Sequence, residues 1–472
     1  MKLGKKILVP YIKKLSGDTE TPITLYKKYV GDQKGILLET TDLENGRYSF
    51  IGKNPYAILK ANNNEVIIDN NYKQEIKKGK ILDVVREYMK QFEVCNNTSL
   101  PFIGGAIGTI AYDIIRQYEN IPNETEDTMY LPDVELMIIT EFIAYDHLHN
   151  QIILCVLEED TNEGIKKAEN KIKNIQKILE EGNAELENIK LDNCNLNNIA
   201  ISNTTKEQFM QMVEKAQKYI YEGDIFQVVL SQRWEIGIKE DPFTIYRKLR
   251  SINPSPYLFY LNFGDYQVVG SSPEMLVEMK VDKVYTCPIA GTRKRGQNEK
   301  EDEMLANDLL NDEKERAEHV MLVDLARNDM GRVSKIGSVN VSNFMKVKNY
   351  SHVMHLVSLV EGKTREDKDP FDVLASFLPA GTLSGAPKIR AMEIIEELEK
   401  EKRSIYGGAV GYFGFDGNMD MCIAIRTMII KDKMAYMQAG AGIVADSIPE
   451  SEYEETKNKV KALVKVVGRL EE

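Results

Sequence analysis

Residues 255–281 read SPYLFYLNFGDYQVVGSSPEMLVEMKV. Three strand-like runs, SPYLFYLNF, YQVVGSS and MLVEMKV, follow one another with only short turns between them. Links this short favour antiparallel neighbours. Further along, AVGYFGF (409–415), MCIAIRTMII (421–430) and MAYMQAG (434–440) repeat the pattern. Towards the N-terminus, YSFIG, YAILK, EVIID, ELMIITEFIAY and QIILCVL do the same, punctuated by Gly, Asn and Asp. Helical signals lie between the runs. Thr204 and Glu207 have capping-box spacing ahead of Phe209, Val213, Ala216 and Ile220. Further helices are predicted over 299–326, 371–378, 387–402 with Pro387 in the first turn, and 451–467. The predicted fold class is α+β: largely antiparallel sheets packed as a sandwich, helices on the outer faces, two intertwined subdomains.

Between 158 and 203 the composition shifts to Glu, Lys and Asn, which reads as an exposed helix running into a polar linker. This divides the chain into 1–157, 158–203 and 204–472. At 472 residues, 43% hydrophobic and 28% charged, the chain has the profile of a globular protein with a sizeable core. Its net charge of −12 speaks against nucleic acid as a partner. A small anion would have to be held by a few local cations and backbone donors. Five scattered cysteines without a CxxC pair indicate neither a disulfide framework nor structural zinc. The N-terminal apolar run is short and broken by Pro10, and no stretch of 18 apolar residues occurs, so the reading is cytoplasmic, with no membrane span.

Several stretches could carry chemistry, each beside a plainer alternative. CPIAGTRKRG (287–296) gathers a glycine turn, a hydroxyl and three cations. GAGIVA (440–445) matches the dinucleotide pattern G-x-G-x-x-A, but Pro449 delays the helix that pattern must open. Glu315 and Glu318 share a helix face in ERAEH, while Glu452, Glu454 and Glu455 crowd the last helix, where Lys459 could equally form an ordinary pair with Glu455. His355 sits in a strand-like run and is a base only if acids and anion-binding groups converge on it. FLPAGTLSGAPKIRAMEII (377–395) places turns before a helix N-terminus, a place for a carboxylate or simply a capped helix. NPSPYLFY (253–260) could be mere punctuation.

Taken in order, PIAGTR, the EH of ERAEH, DLARNDMGRV, HVMHLVSLVEG, LPAGTLSGAPKIRAMEII, YGGAVGYF, IAIRT and QAGAGIVADSIPESEYEETKNK resemble the chorismate-utilising enzymes over about 204–467. The first half resembles the N-terminal domain of the anthranilate-forming branch. Two positions imply the subtype. Isochorismate-forming relatives carry a water-activating lysine where this chain has Gln227, and aminodeoxychorismate synthases carry PIKGT where it has Ala290. A methyl group cannot act as a nucleophile. The resemblance therefore implies conversion of chorismate and ammonia to anthranilate and pyruvate in tryptophan biosynthesis. The alternatives are an aminodeoxychorismate synthase or a non-catalytic tryptophan-sensing homologue.

The resemblance also implies roles. Glu274 matches the general acid for departure of the ring hydroxyl, and His355 the base for the elimination step. Glu318 and Glu455 match Mg²⁺ ligands, with Glu315 acting through water. Substrate contacts fall on Gly291, Thr292, Thr382, Tyr406, Arg426, Gly440, Ala441, Gly442 and Lys459. LLETTDLENGRYSFIG (37–52) resembles the tryptophan inhibitor segment, with Thr40 in place of serine, so Glu39, Thr40, Asn253, Pro254, Ser255, Pro256 and Tyr257 are the expected inhibitor contacts. None of the five cysteines sits in a G-x-C-x-G nucleophile turn, so ammonia is expected from a separate glutamine amidotransferase subunit.

Overall fold

The computed structural model describes residues 5–40, 47–70, 73–95, 98–189, 198–350 and 353–471. The three runs of 255–281 become the strands Tyr257–Asn262, Tyr266–Ser272 and Met275–Lys280. The first two form an antiparallel hairpin with Asn262 opposite Gln267. The third leaves their sheet. Tyr266–Ser272 belongs to a 14-stranded sheet and Met275–Lys280 to a 12-stranded one, so Pro273 and Glu274 mark a crossing between layers.

Two other apolar runs cross in the same way. MCIAIRTMII contributes to Met419–Ile423 in the smaller sheet and Thr427–Lys431 in the larger, with Arg426 at the crossing. ELMIITEFIAY divides at Thr140 into Val134–Ile139 and Glu141–Asp146. Both sheets are covered on both faces, so the sequence stays apolar through the bend.

Pairing is antiparallel except at the two ends of the larger sheet, where Lys6–Ser16 runs parallel to Phe92–Val94 and Ile199–Ser202 parallel to Arg469–Leu470. Strands from the two halves of the chain meet at one seam in each sheet. Gly35–Glu39 pairs with Tyr257–Asn262, and Gly105–Ile110 with Ala409–Gly414. The expected sandwich is present. Phe50, Phe102, Phe142, Phe259 and Tyr412 fill the space between the sheets, with Phe102 and Tyr412 ring centres 5.0 Å apart. Helices Pro22–Tyr29, Asn162–Glu181 and Pro242–Ile252 cover the larger sheet, and Ile81–Met89, Glu313–Gly331 and Pro370–Phe377 the smaller.

Local chemistry corrects several helix boundaries. The capping box lies one residue later than predicted: the Thr205 hydroxyl accepts from Gln208 N and Gln208 caps back, starting Lys206–Tyr221. The single helix predicted over 299–326 is two, Glu299–Asn311 and Glu313–Gly331, because Asp312 turns extended and its carboxylate caps Glu315 N. Pro387 is the N-cap rather than a first-turn residue, and that helix ends at Leu398. The last helix starts and stops earlier than predicted, at Pro449–Lys465. The helix read as exposed buries Ala168, Ile172, Ile175 and Leu179 along one face. Among the described residues no helix is long and apolar enough to cross a membrane. Cys95, Cys155, Cys287 and Cys422 are free thiols, while Cys194 lies outside the described residues.

Candidate active site

Glu274 stands at the sheet crossing, only 9% exposed. Its backbone carbonyl accepts from Ile423 N at 3.0 Å, tying the crossing strand to its neighbour. The Thr382 hydroxyl donates to its Oε1 at 3.1 Å. Burial pushes its carboxyl from 4.5 up to about 7, against the Thr382 hydrogen bond and the positive Lys459, which both favour the charged form. A carboxyl with that value is still half protonated at neutral pH and can give up a proton there.

His355 lies in the strand Val353–Lys363. Its Nδ1 is 2.7 Å from the Gly291 carbonyl and 3.1 Å from Thr292 Oγ1. A carbonyl only accepts, so Nδ1 carries the proton and Nε2 is left basic. Burial lowers the imidazole's proton affinity, the Gly291 hydrogen bond opposes this, and the Arg426 charge lowers it further. The ring is therefore neutral and able to take a proton. Gly291 has φ +63, and a Cβ there would sit 2.9 Å from Leu309 Cδ1 and 3.0 Å from Glu315 Oε2, so this position needs glycine. The cations of CPIAGTRKRG are largely spoken for. Arg293 pairs with Asp308, Asp312 and Glu315, and Arg295 with Asp302. Ala290, buried, pairs with Leu356 in the ladder.

A second group of polar side chains lies alongside. Arg426, at the second sheet crossing and with φ +50, has no ion-pair partner among the described residues, and burial lowers its proton affinity while the Tyr406 oxygen counters. Tyr406 is buried near Gly440, where an added Cβ would lie 3.0 Å from the phenol oxygen. Lys459 donates to the Gly440 carbonyl at 2.9 Å and pairs with Glu455 at 2.6 Å. A Cβ on Gly442 would come within 2.5 Å of Gln227 Nε2, and Gln227 Oε1 is buried without a hydrogen-bond partner. GAGIVA thus lies mostly inside the strand Met434–Ile443, where its glycines admit Tyr406 and Gln227. Ala441 turns its methyl into the helix-covered core with Val213 and Ile394.

The acids converge loosely. Burial raises the Glu318 carboxyl, Glu315 and Glu455 raise it further, and Lys459 and Lys314 oppose them. Among the described residues no group of three or more His, Cys, Asp or Glu forms a metal cage. The donors nonetheless suit Mg²⁺. This ion takes hard oxygens and is commonly bound through one or two carboxylates, completing its shell with substrate and water.

A second cavity of about 450 Å³ opens between the sheets. Glu39, Thr40, Pro256 and Tyr257 line it, whereas Asn253, Pro254 and Ser255 are not among its lining residues. Asn253 instead meets Ser271 through its side chain and its carbonyl. The Glu39 carboxylate is gripped by Arg250 at 3.0 Å and by the Tyr246 hydroxyl, so it ties helix Pro242–Ile252 to the cavity wall. Thr41–Gly46 of the inhibitor-like segment lie outside the described residues. Pro273 and Met275 line this cavity while Glu274 between them faces Thr382, and Met275 reaches both sides.

Sequence reasoning missed other groups. Glu278 and Asp420 line the cavity wall. Asp329 and Lys388 make a largely buried ion pair at 2.7 Å, joining the end of helix Glu313–Gly331 to the start of helix Lys388–Leu398, which follows the loop that holds Thr382. Arg403, held by Glu399, also donates to the carbonyls of Leu383 and Val229. A lone acid inside an apolar strand, as in NMDMC (418–422), was the one available signal.

Comparison with known proteins follows the same lines. The family described as chorismate binding enzyme matches residues 35–465. Anthranilate synthase component 1 of Acetivibrio thermocellus is 52% identical over 98% of this chain and 95% of its own, and that of Aquifex aeolicus 46% over 98% and 96%. The crystal structure of anthranilate synthase component I from Streptococcus pneumoniae superposes with a TM-score of 0.80 at 42% identity, covering 89% of this chain and 92% of that one. MenF, the menaquinone-specific isochorismate synthase of Escherichia coli, superposes with a TM-score of 0.74 at 17% identity over 98% of this chain and 95% of its own, a likeness of fold alone.

Proposed function

The chain belongs to the chorismate-binding enzymes, and from that membership we propose that it converts chorismate and ammonia to anthranilate and pyruvate. The observation that carries the choice within the family is the pair Gln227 and Ala290. Neither supplies the lysine that activates water or adds to the ring in those relatives, which supports ammonia as the nucleophile here.

Arg426 grips a substrate carboxylate, with Tyr406 and the Gly440 backbone beside it. Ammonia adds to the ring as the hydroxyl leaves, and the new ammonium gives up one proton to water to become the amine. Glu274 gives its proton to that hydroxyl, which departs as water, and Thr382 holds the carboxylate left behind. His355 Nε2 then takes a ring proton, the electron pair completes the aromatic ring, and the enolpyruvyl group leaves as pyruvate once protonated. Gly291 and Thr292 fix the imidazole for this step. Glu318 and Glu455 would hold Mg²⁺, with Glu315 behind them, and the ion when bound supplies positive charge against a substrate carboxylate.

The same reading includes a glutamine amidotransferase partner that delivers ammonia, work in the cytoplasm, and feedback inhibition by L-tryptophan in the cavity between the sheets. That cavity supports the last of these by its size and its aromatic lining, which includes Tyr48, Phe50, Tyr257 and Tyr412. The test is incubation with chorismate, Mg²⁺ and ammonium, following anthranilate fluorescence and pyruvate together. Equal amounts of the two are expected. An aminated chorismate without pyruvate would select the aminodeoxychorismate reading, and turnover of glutamine by the chain alone would remove the need for a partner.

A further inference from the structure

Arg403 lies inside the protein, 2% exposed. Its Nε donates to Glu399 Oε2 at 2.8 Å and Nη2 to Glu399 Oε1. The rest of the fork goes to backbone: Nη2 to the Val229 carbonyl at 2.7 Å and Nη1 to the Leu383 carbonyl. The guanidinium also lies against two phenol rings, its carbon 4.9 Å from the centre of Tyr112 and 5.7 Å from that of Tyr406. Burial works against the charge, and Glu399 with the two phenols more than offsets it. Glu399 is itself held from behind. Its Oε1 accepts from the Ser231 N–H and from the Ser231 hydroxyl, both at 2.8 Å, and Ser231 is the ladder partner of Gly440.

Two of these contacts lead into the candidate site. Leu383 ends the short helical turn Gly381–Leu383, from which Thr382 reaches Glu274, and Tyr406 stands beside Gly440. We propose that the Glu399 and Arg403 pair is a positioning group for the reaction: one rigid fork sets the Thr382 hydroxyl on the Glu274 carboxyl and the Tyr406 phenol beside Gly440. The inference rests on the proposed conversion of chorismate and adds a pair that acts through Thr382 and Tyr406 rather than on the substrate. Replacing a buried ion pair by apolar groups of similar volume is often neutral or stabilising, so stability alone is a weak reason to keep one. Direction is a stronger one. A guanidinium offers its N–H groups in a fixed plane, and here four of the five are engaged, whereas a lysine ammonium would bring only a point charge.

The double variant Glu399→Gln/Arg403→Met removes both charges together, so neither is left stranded, and the new amide still accepts from Ser231. Arg403→Lys is the second variant: it keeps a charge beside Glu399 but cannot span both carbonyls. Urea unfolding checks that each folds. Both are expected to form anthranilate about tenfold to a hundredfold more slowly, the cost of misplacing a group by about 1 Å, and to show a higher KM for chorismate. The deciding readout is the alkaline limb of kcat/KM at constant free ammonia. Without the fork, Thr382 loosens its hydrogen bond to Glu274, so the limb should move up by about half a unit to one unit, and should move no further when the same changes are made in the Thr382→Val background. A slower folded variant whose limb stays in place would overturn the proposal. So would an upward move of equal size in the Thr382→Val background, or wild-type kcat/KM in either folded variant. A wild-type chain that forms no anthranilate from chorismate and ammonium would overturn the proposed reaction and this inference with it, a result distinct from the others because it needs no variant.

Discussion

Replacing Glu274 by Gln should cost most of the activity and stabilise the protein at alkaline pH. The carboxyl rises from 4.5 in an open chain to about 7 in the fold because burial penalises its charged form. At pH 7 an ordinary glutamate would be protonated in about 0.3% of molecules and this one in about half, a gain of about 150-fold in available acid. The folded pKa lies above the unfolded one, so the folded state is favoured below about 4.5 and loses that advantage progressively as pH climbs to about 7. Above 7 the wild-type fold carries a charge it would rather not hold. The shift of about 2.5 units corresponds to about 3 kcal/mol, an upper bound because local opening relieves some of it. Gln is neutral at every pH and still offers the Thr382 hydroxyl an acceptor. Urea unfolding of both proteins at pH 5 and pH 8.5 measures the effect. The variant should gain on wild type between the two pH values by a few kcal/mol at most, while losing about a hundredfold or more in anthranilate formation, the usual worth of a general acid. Parallel pH dependence of stability in the two proteins would refute the assignment of a buried, proton-holding Glu274.

Other outcomes follow from the same geometry. Thr382→Val removes a hydrogen bond that favours the ionised carboxyl, so the alkaline limb of kcat/KM, measured at constant free ammonia, should move up by about one unit; a downward move would be inconsistent with that role. His355→Ala should reduce pyruvate release more than consumption of chorismate, leaving an aminated intermediate detectable by chromatography; equal loss of both would contradict its place in the second step. Arg250→Ala strands the buried Glu39 carboxylate and should cost about 3 kcal/mol in unfolding experiments, with a weaker response to L-tryptophan.

The strands were legible because alternating and continuous apolar runs bounded by Gly and Asn mark them locally. Their assignment to sheets was not. Nothing in SSPEM says that Pro273 leaves one layer for another, since both layers are equally apolar there. The pairing of Leu38 with Phe259 joins residues far apart in sequence, which no local pattern encodes. Within the site, motif order led to Glu274, Thr382 and His355, and the structure joins the first two directly and seats the third on Gly291 and Thr292. Spacing also put Glu315 and Glu318 on one helix. Asp420 was lost among methionines, and the three cations after Ala290 suggested an anion loop because the carboxylate partners of two of them, Arg293 and Arg295, lie up to some twenty residues downstream.

Glu274 and Arg426 both sit where the backbone passes from one sheet to the other, and each sheet is a block of strands from one half of the chain joined along a single seam to a block from the other. It follows that neither half can be a rehearsal for the whole. A polypeptide stopped near residue 200 would hold Gly35–Glu39 and Gly105–Ile110 as bare edges, waiting for partners that are made only later in synthesis. Chemistry and assembly therefore mature together: until the last strands close both layers, the acid has no burial to raise it and the guanidinium no wall to aim it.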